Sequence, residues 1–471
     1  LSPWRRLAQG SLFRNSTRVT MSDSSSGSID LRSSEAEIRQ RVSDILAEAK
    51  RQGASSAEVV ASEDLGLGVT VRMGELENVE FNQDRGFGIT VYYGLRKGSA
   101  STSDSSPGAI AETVEAARNI ARFTEEDPCS GLADAELMPT ELPELDLYHQ
   151  WQLSPDDAEK LALECEAAGL AHDERITNSD GTQVSTQQSC RVYGNSHGFI
   201  GSFVGTRHSM SCVLIGEDAS GMQRDYWYTL ARNPGDLEAP EAVGVEAARR
   251  TVSRLSPRKI VTGRFPVLFA PQMASGLIGH LLGAISGGAL YRKASFLLDS
   301  LGERVMSPHI TLRERPHMPG WIGSASFDGE GVATHDKAFI NHGVVENYVL
   351  GSYSARKLDM QTTGNAGGVF NLEIAGTTSG VDTMLRDMGE GLLVTELMGQ
   401  GVNTVTGDYS RGAAGFWVEA GEIAYPVDEV TIASNLREVL KDIQCIGDDV
   451  DARGNIRAPS ILVGSMTVAS Q

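Results

Sequence analysis

Apolar positions along the chain recur with two periods. Ile38, Val42, Ile45, Leu46 and Ala49 share one helical face, between a capping box at Ser34-Glu35-Ala36-Glu37 and a stop at Gly53. Short runs at 57–62, 67–72, 77–82 and 86–93 read instead as strands, with Met73-Gly74-Glu75 as a hairpin turn. Ser106-Pro107 opens a second helix bearing Ile110, Val114, Ala117 and Ile120, and Ser154-Pro155-Asp156-Asp157 caps a third that ends near 171. Strands are expected at 182–185, 190–193, 198–204 and 211–215, divided by Asp180-Gly181 and Asn195-Ser196, and a helix at 240–255. Beyond Thr262 the chain is rich in glycine and strand-like runs, beginning at 265–270. Two helices interrupt it, an apolar one at 273–285 and another at 436–443.

This order predicts an α+β fold: mixed, mostly antiparallel sheets with flanking helices, in several domains. The expected divisions are an N-terminal α+β domain at 34–125, an acidic, proline-bearing linker at 126–153, a middle α+β domain at 154–258 and a C-terminal β-rich domain at 259–471. Residues 1–33 are set outside the fold as disordered. Arg5, Arg6, Arg14 and Arg18, with no acid before residue 20, have the composition of a transit peptide. Met21 and the serine-rich stretch after it look more like a true start, so 1–20 reads as upstream or appended sequence.

Composition narrows the function. A chain of 471 residues has room for several cores. Its 62 acidic and 41 basic side chains leave a net charge of -21, which repels phosphate backbones and argues against direct nucleic-acid binding. The five cysteines, Cys129, Cys165, Cys190, Cys212 and Cys445, form no C-x-x-C pair, which fits a reducing compartment. No apolar run is long enough to span a membrane as a helix.

Few motifs carry chemistry. Ser354-Ala355-Arg356-Lys357 has the S-x-x-K spacing of a serine nucleophile beside a lysine, but its companion elements are absent. The plainer expectation is that Ser354 caps a short helix whose basic residues face solvent or a partner. His335, Asp336 and His342 are a conceivable composite metal site without a recognised ligand spacing. The loops at 363–368 and 398–403 are glycine-rich. They serve either as turns or as backbone that an extended peptide approaches and pairs with. Residues 407–419 mix small residues with Tyr409, Arg411 and Trp417, as interface centres or buried hairpins do, with a turn at Glu419-Ala420-Gly421-Glu422.

Three segments together carry a family resemblance: the helix Gly276-Leu277-Ile278-Gly279-His280-Leu281-Leu282-Gly283-Ala284-Ile285, then Thr395-Glu396-Leu397-Met398-Gly399-Gln400-Gly401, then Thr406-Gly407-Asp408-Tyr409-Ser410-Arg411-Gly412. The chain resembles the TldD/PmbA family, in its PmbA (TldE) branch, from about Ser34 to the C-terminus. In the TldD branch the helix carries the zinc motif His-Glu-x-x-x-His. Counted back from Arg292-Lys293, those positions are here Gly279, His280 and Ala284, and the region of a further cysteine ligand is Ile456-Arg457-Ala458-Pro459-Ser460. Ligands five apart stand about 140° apart on a regular helix, so the motif needs a bend, which Gly279, Gly283, Gly287 and Gly288 would allow.

The resemblance implies no catalytic or metal-ligating residue and no cofactor in this chain. Zinc is expected in a separate TldD-type subunit, and the two chains together would hydrolyse unfolded peptides in the cytoplasm, this chain being inactive alone. Processing of peptides such as microcin precursors is implied as well, and a homodimer is the assembly open to the chain without its partner. His280, Asn365, Gln400 and Arg411 are the candidates for contact with substrate or partner, although a lone helical histidine is ordinarily a packed side chain. The rival readings are a metal-independent binding or scaffold protein, in line with the family's older gyrase-modulator label, and a hydrolase with a composite site of its own.

Overall fold

The computed structural model describes residues 30–470. Its first half runs α1 (Arg32–Arg51), β1 (Ser56–Arg72), β2 (Glu75–Tyr93), β3 (Arg96–Thr102), α2 (Pro107–Phe123), α3 (Pro155–His172), β4 (Ile176–Asn195), β5 (Ile200–Asp218), β6 (Gly221–Ala231) and α4 (Pro240–Ser253). The strands form one antiparallel sheet in the order β3-β2-β1-β4-β5-β6, so segments 34–125 and 154–258 meet through the β1–β4 ladder. Helices α1 and α2 pack over one part of this sheet and α3 and α4 over another, each pair with its own apolar cluster.

The strands are far longer than the apolar runs suggested. Runs 57–62 and 67–72 are parts of one strand, as are 77–82 and 86–93. The charges between them stay in the ladder because they are neutralised across strands: Arg85 reaches Glu63 at 3.0 Å and Arg191 reaches Asp64 at 2.8 Å. The first helix also starts earlier than its capping box. Leu31 is buried, and Asp30 organises the turn by accepting from the Arg32 amide at 3.0 Å. Of the segment set outside the fold, residues 1–29, including the stretch 1–20, lie outside the described residues. Ser106 and Ser154 cap their helices as expected, accepting from the amides of Ala109 and Asp157. The β1–β2 turn has Met73 and Gly74 both at positive φ, and their amides donate to the buried Glu166 of α3 at 3.0 and 2.8 Å.

The second half continues with β7 (Gly263–Phe269), α5 (Pro271–Ala284), α6 (Gly287–Tyr291), β8 (Thr311–Glu314), β9 (Lys337–Asn341), β10 (Val344–Val345), α7 (Ser352–Lys357) and β11 (Leu372–Ala375). Then come α8 (Val381–Met388), β12 (Gly391–Met398), β13 (Asp408–Glu419), β14 (Glu422–Asn435), α9 (Leu436–Lys441), β15 (Ile443–Ile446), β16 (Ile456–Arg457) and β17 (Ile461–Ser470). One sheet has the order β14-β13-β12-β7-β17-β15, and an extra β14–β17 pairing closes five of its strands into a ring. A smaller sheet, β10-β9-β8-β11-β16, shares the large core beneath α5. The whole is α+β with predominantly antiparallel pairing, as expected. The hairpin turn at Ala420-Gly421 is present, with both residues at positive φ.

Segment 126–153 is strapped down along its length. Lys357 pairs with Asp127 at 3.0 Å, and the Arg356 guanidinium donates to the carbonyls of Cys129, Gly131 and Leu132. The basic residues after Ser354 therefore bind this strap rather than solvent. Ser354 itself lies inside α7, donating to the Gly351 carbonyl at 3.0 Å, and is not the cap. Farther along, Arg232 joins three parts of the molecule by donating to the carbonyls of Leu147, Thr206, Trp321 and Ile322. Burial lowers its pKa to about 10. His208, fully buried, lies 2.8 Å from both the His149 carbonyl and Thr186 Oγ1, and burial lowers its pKa.

Candidate functional site

Helix α5 is two-faced. Ala274, Leu277, Ile278, Leu281 and Leu282 are buried in the core, whereas Gly276 and Gly283 are exposed and Gly279 and His280 half-buried. A Cβ added at Gly276, Gly279 or Gly283 would meet nothing within 4 Å, so these glycines leave an open face. The helix is regular to Ala284. The bend expected within the motif falls after it, at Ser286, where the backbone becomes extended before α6. Gly287 is required there, because a Cβ would lie 2.2 Å from Ser354 Oγ.

The N-terminal half of the open face lines a cavity of about 320 Å³ between Gln272, Ser275 and Gly276, the edge strand β6, and the loop before β16. Tyr226 and Tyr228 stack on its β6 side with ring centroids 6.3 Å apart. Asp451 and Arg453 neutralise each other there at 2.9 Å, and Arg453 also covers the Tyr228 ring. An aromatic shelf beside polar side chains suits a peptide better than a charged metabolite.

The C-terminal half holds His280. Its ring meets Tyr409 of β13 edge-on, centroids 6.0 Å apart. Burial, then the Arg411 charge, lowers the His280 pKa, which keeps the imidazole neutral at pH 7. Burial pushes the Tyr409 phenol up to about 12, against the opposing Arg411 charge. Arg411 donates to the Leu397 carbonyl at 3.5 Å and also contacts the Tyr409 hydroxyl, and among the described residues its buried Nε has no partner. The loop carrying Gln400 is exposed and runs beside β13, where only glycine fits at position 401, since a Cβ would be 1.7 Å from the Ser410 carbonyl oxygen. The fold thus brings His280, Arg411 and the Gln400 loop to one end of α5. Asn365 sits elsewhere, 3% exposed, its Nδ2 donating to Glu314 at 2.9 Å and to the Gly368 carbonyl at 3.0 Å.

Zinc does not fit the family's motif positions here. Gly279 offers no donor, Ala284 points into the core and His280 supplies a single imidazole. In the region of the cysteine ligand, Ala458 is buried and Ser460 is tied to Asp449. Cys445 belongs to a separate cluster beneath α8. His335 and His342 flank β9, and among the described residues no group of three His, Cys, Asp or Glu side chains is placed to hold a metal.

Sequence reasoning named His280 and Arg411 as contact candidates and Tyr409 only as part of the 407–419 hairpin, and it missed the Tyr226–Tyr228 shelf. The i, i+2 spacing on a strand was the available signal for both pairs.

A long-stranded antiparallel sheet beside a β ring covered by a glycine-faced helix is the architecture in which the site sits. The chain belongs to the PmbA/TldA metallopeptidase family: it matches domain 1 over residues 57–121, the central domain over 148–255 and the C-terminal domain over 262–470. Within it the chain falls in the PmbA branch. It is 51% identical to Metalloprotease PmbA of Escherichia coli O157:H7, over 90% of this chain and 94% of that protein. To the Metalloprotease PmbA homolog of Haemophilus influenzae it is 48% identical, over 93% and 97%. A crystal structure from Bacteroides thetaiotaomicron, provisionally described as a modulator of DNA gyrase, superposes with a TM-score of 0.87 at 26% identity, covering 92% of this chain and 99% of that one. TldE from Thermococcus kodakarensis shares the fold, with a TM-score of 0.78 at 20% identity over 91% and 100%. Among the described residues no helix is long and apolar enough to cross a membrane.

Proposed function

We propose that this chain is the metal-free subunit of a two-chain zinc peptidase acting on unfolded peptides in the cytoplasm. The observation that carries the reading is the α5 helix, where the family's ligand positions are a glycine on the open face and an alanine in the core. The TldD-type partner would hold the zinc, which supplies activated water. This chain would contribute a wall of the peptide chamber. Its glycine-faced helix lets main chain approach closely, and its stacked tyrosines and the Gln272 side chain lining the cavity offer contacts to a passing peptide. Relatives named as metalloproteases, and a TldD homolog of Buchnera aphidicola at 23% identity over half of this chain, support a paired system.

The test is metal analysis and peptidase assay of each chain alone and of the two together, on an unfolded protein substrate. Zinc is expected with the partner only, and peptide cleavage only in the mixture. Stoichiometric zinc in this chain alone, with cleavage that a chelator abolishes, would overturn the reading.

A further inference from the structure

Arg411 is an anomaly in an acidic chain. Acidic side chains outnumber basic ones by 62 to 41, yet among the described residues no carboxylate lies within 4 Å of its guanidinium. Arg41, Arg118 and Arg250 also bury an unmatched Nε, but each has a carboxylate beside it, and other shielded arginines are held more fully. Arg254 pairs with Asp225 and Glu396, Arg453 with Asp451, and Arg232 is held by four backbone carbonyls. Arg411 has one long bond to a carbonyl, a side-chain contact with the Tyr409 hydroxyl and, among the described residues, a buried Nε with no acceptor. Leaving such a group unmatched costs free energy, which is sensible where a ligand completes the set.

Its surroundings point the same way. The nearby His280 ring makes no hydrogen bond among the described residues and meets Tyr409 only edge-on. Arg411 does not cap α5: its bond goes to the Leu397 carbonyl, and three of the last four carbonyls of that helix are taken, Leu281 by the Ile285 amide, Gly283 by Ser286 and Ala284 by Ser295. Beside it runs the glycine face, open to a main chain.

We propose that Arg411, with His280 beside it, receives the terminal α-carboxylate of an extended peptide lying along the open face of α5. A guanidinium matches a carboxylate with two parallel hydrogen bonds, and the neutral imidazole can donate a third. The proposal rests on the reading of this cleft as a chamber wall for peptides, and it assigns that wall the peptide's C-terminal end. An acidic side chain of the partner subunit has the same chemistry and is the competing source.

The experiment uses the full chain by itself and a fluorescein-labelled hexapeptide of alanine and serine, once with a free C-terminal carboxylate and once as the amide. Anisotropy should show the acid binding about tenfold more tightly than the amide. Arg411→Gln should erase that preference, and Arg411→Lys should keep part of it. Equal binding of the two peptides to the unaltered chain, or binding of neither, overturns the proposal. So does a result in which Arg411→Gln weakens only co-purification with the TldD-type chain, which would assign the anion to that partner. If Arg411→Gln fails to fold, the acid–amide comparison on the unaltered chain decides alone. The outcome is independent of zinc and cleavage, so either this proposal or the two-chain reading can fail while the other stands.

Discussion

Two polar regions of the C-terminal half differ in how fully they are satisfied. Around Glu314, which is wholly buried, the Lys337 ammonium, the Asn365 amide and the Phe370 N–H all converge on one carboxylate. Burial raises the Glu314 pKa, and Lys337 opposes it. At the far end of α5, among the described residues the Arg411 Nε and the His280 ring have no hydrogen-bond partner, beside an open glycine face. The first region locks the small sheet to the 363–370 loop. The second spends stability on accessibility. The Glu314 carboxylate is saturated, although Asn365 Oδ1 beside it has no partner among the described residues, so an unmatched atom points to a ligand only where, as at Arg411, it also borders an open face.

The largest test of this contrast is Lys337→Met. It strips the counter-charge from a buried carboxylate and should cost about 3–5 kcal/mol, read as a drop in the urea midpoint. A change as small as that of a surface substitution would show the network to be dispensable.

Next comes pH. Asp328 is buried near Glu330, and the two effects, burial first, raise its pKa to about 7. Its folded pKa thus lies above its unfolded value of about 3.9, so the folded state holds the extra proton between the two. The stability it contributes is full below pH about 4 and is lost as pH rises to about 7, with a slope of at most about 1.4 kcal/mol per unit. His208 acts in the opposite sense: burial lowers its folded pKa, so its contribution is lost as pH falls below about 6.5. Asp328→Asn should flatten the loss between pH 4 and 7 in urea titrations. An unchanged pH profile would assign that slope to other groups.

In the cleft the effects should be smaller. His280→Ala is expected to leave cleavage by the assembled enzyme within about tenfold of the unaltered protein, or about 1.4 kcal/mol in barrier height. A near-complete loss with assembly intact would give His280 a role in the chemistry itself. The smallest effect sharpens the comparison most. Gly279→Ala places a methyl in open space on a regular helix, so melting should show a gain of about 0.5–1 kcal/mol while peptide binding weakens. A loss of stability would mean that this glycine serves the fold and not the cleft.

Much of this was legible in the chain. The helices that were expected fell within a few residues because their apolar stripes and serine caps are local signals, while the short α6 and α8 were not anticipated. Strand lengths were misjudged because Glu63 and Asp64 break the apolar pattern, and only their partners Arg85 and Arg191 on neighbouring strands make them tolerable there. The candidates Arg411 and His280 were visible as residue types, while Asn365 and Gln400 rested on glycine-rich loops that look alike in sequence. One of those residues is buried against Glu314 and the other is exposed beside β13.

By itself, then, the order of residues settled the α+β class and the family, and it placed Gly279 and Ala284, which carry no donor, on the α5 helix, since each depends on residue identity at fixed spacing. Tertiary structure alone decided that 126–153 is a strap, that β14 closes onto β17, and that among the described residues Arg411 has no carboxylate partner and an unmatched Nε. Those facts depend on which groups far apart in the chain come within hydrogen-bonding distance, and local periodicity carries no information about such pairings.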